Sequence, residues 1–178
     1  MIILKNISYT TNSNEKILDD INLNIKKGEF VAITGKSGSG KTTLASVING
    51  LISHYYEGTL TGETYINGEK INDLELSKIG NLVGTVFQDP RSQFFMMDPF
   101  NEVAFGLCNR CLNKDEIKQR VKNSLQIFGI EHLKEKSIFK LSSGEKQKVA
   151  IASCYAMKPD IYLFDEPTAN LDIQSIFD

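Results

Sequence analysis

The segment Gly35-Lys36-Ser37-Gly38-Ser39-Gly40-Lys41-Thr42 constrains this chain more than any other feature. It has the spacing G-x-x-x-x-G-K-[ST], and it stands between an apolar, β-branched run at Phe30–Thr34 and a helix-forming run from Thr42 to Leu51. Its glycines allow backbone N–H groups to turn inward around phosphate oxygens, and the helix that follows offers the positive end of its dipole. Lys41 supplies a cation for β- and γ-phosphates, and the Thr42 hydroxyl can ligate Mg²⁺. Thr43 completes the set of small polar residues around the loop. An ordinary glycine-rich turn would need neither four fixed positions nor a strand before and a helix after.

At 178 residues the chain has the length of one globular unit, roughly 150 residues being usual for a domain. A net charge of −2 carries no basic excess, so a dedicated nucleic-acid binder is not expected. Uninterrupted apolar runs such as Phe94–Met97 and Ile161–Phe164 are far short of the about 20 residues that span a bilayer. The start, MIILKNISY, has no basic stretch leading into an apolar core, so no secretory signal is expected. Three cysteines, an odd count, suit a reduced cytoplasmic protein. Cys108 and Cys111 have C-x-x-C spacing without a second pair, and are read as incidental thiols.

Strands are expected at Ile2–Leu4, Ile21–Ile25, Phe30–Thr34 and Leu82–Phe87, and a buried one at Ile161–Phe164. Lys27-Gly28-Glu29 should turn, and Asn67-Gly68 is a strong hairpin signal within Glu57–Lys70. Residues 98–158 read as helical. Asn113 can cap one helix, with Ile117, Val121, Leu125 and Phe128 as its apolar stripe and Gly129 at its exit; another begins near Ser143 and stops before Pro159. Alternating strands and helices predict an α/β fold: a mainly parallel sheet, an antiparallel group near the start and a helical insertion at 90–158, within a single domain over 1–178.

Ile161-Tyr-Leu-Phe-Asp165-Glu166 delivers two carboxylates at the end of an apolar strand, where ligands gather in parallel sheets. Asp165 is the expected partner of Mg²⁺, and Glu166 a general base for water. With these motifs the chain resembles the nucleotide-binding subunits of ATP-binding-cassette (ABC) transporters. Leu141-Ser142-Ser143-Gly144-Glu145 is similar to that family's signature LSGGQ, with Ser143 where glycine is usual. The resemblance implies that Ser142, Ser143 and Gly144 hold the γ-phosphate of ATP bound by a partner subunit. It implies that Gln88 contacts Mg²⁺ and water, that Tyr9 stacks on adenine, and that Asp172, in Ala169-Asn-Leu-Asp172, links two active sites across a dimer. For Tyr9, plain packing is the rival reading.

Gln88-Asp-Pro-Arg-Ser-Gln93-Phe94-Phe95 and Glu102-Val-Ala-Phe-Gly106 resemble more narrowly the ATPases of energy-coupling-factor transporters, importers of vitamins and metal ions. That likeness implies ATP and Mg²⁺, a second ATPase subunit or half, an integral membrane subunit contacting the segment after Gln88, and a peripheral place on the cytoplasmic side. Phe94, Phe95, Met96 and Met97 fit either a docking surface or a helical core. The family's switch histidine would come beyond Asp178, and neither His54 nor His132 fits it, so slow hydrolysis is expected of this stretch alone. The alternatives are a soluble cassette ATPase of DNA repair or translation, and a nucleotide-binding fragment with little turnover.

Overall fold

A computed structural model describes residues 1–168, in which the chain divides into two compact units, Met1–Val83 and Gly84–Asp178. The helical stretch expected over 90–158 falls inside the second unit.

In the first unit, strands β1 (Ile2–Thr11), β2 (Lys16–Ile25), β3 (Gly58–Ile66) and β4 (Glu69–Lys70) form an antiparallel sheet in the order β2-β1-β3-β4. Alternation sets its register: Ile2 lies opposite Ile25 and Ile66, and Leu4 opposite Leu23, so apolar side chains share one face. Asn67 and Gly68 both take positive φ, 52° and 89°, and close the β3–β4 hairpin as their sequence predicts. Gly62 faces an irregularity in β1 at Asn6, where an added Cβ would strike the Asn6 and Lys5 carbonyls. Only glycine fits there.

Helices α1 (Lys41–Ile48), α2 (Leu51–His54) and α3 (Leu76–Leu82) complete this unit, with Val47, Ile48, Ile52, Ile71 and Ile79 buried. The helix expected over Thr42–Leu51 is therefore interrupted. Gly50 adopts φ 81°, a left-handed residue that ends one helix and starts the next, and Asn49 Oδ1 accepts from Leu51 N at 3.2 Å. The α3 helix was not expected, its run being short with Gly80 inside it. A larger correction concerns Phe30–Thr34, which forms no strand among the described residues; Phe30 is 94% exposed. Apolar, β-branched content favours extension, but a strand exists only where a neighbour takes its backbone hydrogen bonds, and no described strand does so.

In the second unit, β5 (Val83–Val86) and β6 (Ile161–Phe164) pair as the parallel sheet, joined through α4 (Pro99–Asn109), α5 (Lys114–Ile127) and α6 (Ser143–Ala156). The β6 strand is only half covered: Tyr162 and Phe164 stack on its exposed side, 6.5 Å apart, where a fully buried strand was expected. Each helix starts at a side-chain cap. Asp98 accepts from Asn101 N, Asn113 from Glu116 N, and Ser142 from Glu145 N, at 2.9, 2.8 and 3.2 Å. The stripe of α5 buries Val121 and Leu125 against Val103, Leu107, Val149 and Ala152, while Ile117 and Phe128 flank that core. At the far end of α6, Arg110 donates to Met157 O at 2.6 Å and Arg120 to Ala156 O at 3.4 Å, so guanidinium groups satisfy carbonyls the helix leaves open.

The α6 cap is reciprocal, since the Glu145 carboxylate also accepts from Ser142 N at 2.7 Å. That bond holds the Glu145 carboxyl below its usual range. Its stabilisation is complete above the ordinary glutamate value, about 4.3, and is lost as pH falls through the lowered folded value. Glu145→Ala should cost about 1 kcal/mol in urea denaturation at pH 7, and the difference from the parent should shrink toward pH 3. A second expectation concerns the thiols. Cys108 and Cys111 are exposed, whereas burial pushes Cys154 up to about 12. At pH 8 only about 10⁻⁴ of such a thiol is thiolate, so a disulfide reagent should titrate two sulfurs promptly and the third only in denaturant.

Candidate functional site

The glycine-rich loop is built by left-handed turns. Gly38 and Gly40 take φ 76° and 88°, and Gly40 is the residue from which α1 starts. A Cβ on Gly40 would come 3.1 Å from the Ile17 carbonyl and from Leu18, so its dihedral favours glycine and its surroundings leave a side chain little room. Residues 35–39 are exposed, and Ser39 N donates to Lys36 O at 3.2 Å to tighten the turn. The Lys41 ammonium folds back over the loop, donating to Gly35 O at 3.0 Å and Lys36 O at 3.1 Å. These are neutral acceptors, and an anionic phosphate oxygen is a stronger acceptor for an ammonium than either. Thr42 is exposed and Thr43 half-buried at the first turn. No side chain caps α1, and its first turn contains no acid. The start of α1 thus presents its dipole to the loop without a competing carboxylate.

In the second unit, Gln88 Nε2 donates to Glu166 Oε2 at 2.9 Å, across 78 residues of sequence. The backbone explains the meeting. Asp165 N donates to Val86 O at 3.0 Å, so the ends of β5 and β6 lie side by side and the next residues of each meet. Asp165 is buried, while Glu166 is exposed on a left-handed backbone at φ 45°. Strain of that kind at a non-glycine residue costs on the order of 1–3 kcal/mol and collects at functional positions.

Ser142, Ser143 and Gly144 start α6. The capping box occupies the Ser142 and Glu145 amides, and the two between them, of Ser143 and Gly144, lie in the first turn where no intrahelical carbonyl reaches. Tyr9 requires a correction. It is 5% exposed, its hydroxyl donates to Glu57 O at 2.9 Å, and its ring packs on Gly58, so it offers no open face to a base. Packing, the rival reading, describes it. Asp172 lies outside the described residues.

The oxygen donors expected for Mg²⁺ are the Thr42 hydroxyl, the Gln88 amide and the Asp165 carboxylate. They suit a hard cation that keeps most of its shell as water and phosphate. No group of three or more His, Cys, Asp or Glu that could hold a metal ion occurs among the described residues. No helix among them is long and apolar enough to cross a membrane.

One residue, quoted above only within Glu102-Val-Ala-Phe-Gly106, received no role of its own from the sequence. Glu102, 6% exposed on α4, accepts from Phe95 N at 2.9 Å and Met96 N at 2.8 Å through a single oxygen. Burial pushes its carboxyl above the usual range, against the pull of the two amides. Its only sequence signal was an acid in the first turn of a helix.

Comparison with known proteins bears on the whole chain. The ABC transporter family profile matches residues 18–169. A Treponema denticola protein, provisionally named an ABC transporter ATP-binding protein, is 48% identical over 177 residues, 99% of this chain and 36% of its own length. A Saccharolobus solfataricus protein with a name of the same kind is 42% identical over 94% of this chain and 32% of its own. The chain thus spans about a third of the length of these relatives. Among solved structures, CbiO1 of Clostridium perfringens, part of the ABC transporter complex CbiONQ, superposes with a TM-score of 0.85 at 37% identity, covering 99% of this chain and 69% of that one. The ATP-binding cassette MJ0796, a dimer bound to ADP and Pi after hydrolysis, gives 0.83 at 33% identity over 98% and 78%. With the family profile matched over residues 18–169 and relatives of this identity along nearly its whole length, this chain belongs to the ABC transporter family as an ATP-binding domain.

Proposed function

We propose that this chain binds and hydrolyses ATP to power an ABC-type membrane importer of the energy-coupling-factor kind, which carries a vitamin or a metal ion. The observation that carries the reading is the glycine-rich loop, whose left-handed Gly40 launches an uncapped, acid-free helix beside Lys41. In this reading Gly35, Lys36, Ser37, Gly38, Ser39 and Gly40 wrap the phosphates. Lys41 moves from the loop carbonyls to the β- and γ-oxygens, and Thr42 and Thr43 hold the far side.

Thr42, Asp165 and Gln88 would hold Mg²⁺, which when bound neutralises charge on the transferring phosphoryl group. Glu166 accepts the proton of the attacking water at a carboxylate oxygen. Gln88, hydrogen-bonded to the other end of that exchange at Glu166 Oε2, fixes the direction in which the carboxylate points. Ser142, Ser143 and Gly144 serve the γ-phosphate of ATP on a second subunit or half, a homo- or heterodimeric partner, and Asp172 belongs to the contact between the two sites. The dimer formed by MJ0796 supports that arrangement.

The membrane partner is proposed to meet the segment after Gln88. Phe95 and Met97 are 74% and 64% exposed there, while Phe94 and Phe100 pack against the helical core. Of the two roles open to this segment, docking and packing, the exposed pair supports the first. The membership of CbiO1 in a larger transporter complex supports a subunit of such a complex as occupant. A peripheral place on the cytoplasmic side belongs to the same proposal.

Lys41→Ala should weaken MgATP binding in calorimetric titration by about 10²-fold with the melting temperature nearly unchanged, since the ammonium mainly serves ligand phosphates. An unchanged affinity would place the nucleotide elsewhere. Glu166→Gln should leave ATP bound and slow single-turnover hydrolysis by about 10²–10⁴-fold, because an amide cannot take the water's proton. Undiminished turnover would remove Glu166 from the role of base.

A further inference from the structure

The segment between Gln88 and α4 is anchored in an unusual sense. A surface loop is ordinarily held by sinking its apolar side chains, while its backbone faces water. Here the reverse holds from Phe95 to Met97. Phe95 N and Met96 N both turn inward to Oε2 of the buried Glu102 carboxylate, at 2.9 and 2.8 Å. Met97 O turns inward as well, accepting from Ile138 N at 2.8 Å. The side chains of Phe95 and Met97 are left outside. Phe95 is nevertheless not loose: its ring stacks on Phe105 of α4, 5.1 Å away at 24°. One turn of α4 therefore supplies both the carboxylate that fixes the backbone and the ring that sets the side chain's direction.

The cost of burying a carboxylate shows that this arrangement is more than filler. An ionised group so enclosed is tolerated only with strong hydrogen bonds, and the two amides provide them. An apolar residue at position 102 would avoid that cost and would leave two inward-facing N–H groups unpaired. The hydrogen bonds that the Glu102 carboxylate accepts come from Phe95 and Met96, within the exposed segment.

We propose that Glu102 is a positioning residue for partner docking: by clipping the Phe95 and Met96 amides inward, it holds Phe95 and Met97 outward in the arrangement the membrane partner meets. The proposal rests on the functional reading of this segment given above. Because both amides go to one oxygen, a glutamine can present its carbonyl at the same point, whereas an aspartate is one methylene too short to keep both bonds.

The test uses the full-length protein and two readouts. The first is amide hydrogen exchange at Phe95 and Met96. The second is binding to urea-stripped membrane vesicles from cells that lack only this protein, with protein-free liposomes as the blank. Glu102→Ala and Glu102→Asp should speed exchange at both amides by about tenfold or more, with MgATP affinity within twofold of the parent. Both should weaken vesicle binding by about tenfold, as for loss of an interface anchor, while Glu102→Gln stays within about threefold of the parent on both readouts. Unchanged exchange in the alanine and aspartate variants overturns the clip. Faster exchange with undiminished vesicle binding overturns its role in docking. If the alanine variant fails to fold, the aspartate and glutamine variants decide, and equal losses in those two overturn the proposal. Phe95→Ser separates the two layers. If it weakens binding and the Glu102 variants do not, the positioning role fails alone; if Phe95→Ser binds vesicles like the parent, the docking reading itself fails.

Discussion

The hydrogen bond from Asp165 N to Val86 O is the point on which the second unit's chemistry depends. It ends the pairing of two strands that run the same way, and parallel strands bring like ends together whatever the length of chain between them. Gln88 is two residues past Val86 and Glu166 one past Asp165, so the meeting of amide and carboxylate follows from strand pairing. Burial of Asp165 beside the exposed, left-handed Glu166 follows from the same place, where the β6 backbone must leave its extended course. An exposed carboxylate and the amide that bonds to it can in this way be brought together by two short apolar runs. Neither residue needs to be near the other in sequence.

The helices differ at their starts in a way that suits different tasks. Asp98, Asn113 and Ser142 satisfy the first amides of α4, α5 and α6 with side-chain oxygens, and acids stand in each of those first turns. The α1 helix has neither a side-chain cap nor an acid. Capping stabilises a helix because its open N–H groups and positive end otherwise go unanswered. Leaving α1 uncapped makes that end of the chain less stable and more receptive to an anion. Three capped helices carry the second unit's core, while α1, α2 and α3 of the first unit all start without a side-chain cap, and of these α1 alone follows directly on the glycine-rich loop.

What could be read in the sequence was what short-range physics decides. The Asn67-Gly68 hairpin, the Asn113 cap, the helix start near Ser143 and the left-handed exit at Gly129 each depend on a few neighbouring residues, and each appears as expected. The failures involve a distant partner or a competing local preference. Phe30–Thr34 has strand composition but no described neighbour to complete its hydrogen bonds. Gly50 broke an expected helix because a flexible residue against Ile79 favours a left-handed restart. Tyr9 was given a ligand on the strength of its position, although its burial and its bond to Glu57 O come from β1 meeting the start of β3. The contact made by Glu102 was not legible for the same reason: its partners are backbone amides, which carry no sequence signature.

Those amides complete a physical continuity along one stretch of chain. From the Gln88 amide at Glu166, the segment passes through Gln93, whose side-chain oxygen accepts from Phe87 N at 3.1 Å, to the Glu102 clip, and then to Met97 O at Ile138 N. Ile138 opens the short turn that leads through Leu141 into the cap of α6. Every join in this series is a hydrogen bond to backbone or to a buried or oriented polar group, and these joins act beside the packing of Phe94 and the buried Pro90. Polar joins of this kind are directional and are lost steeply with distance and angle, whereas apolar contacts tolerate sliding. A segment held so can present hydrophobic side chains on its outer side and still keep Gln88 in register with Glu166. Movement of the outer side chains would then act on directional bonds at both ends of the segment, toward Glu166 and toward the start of α6.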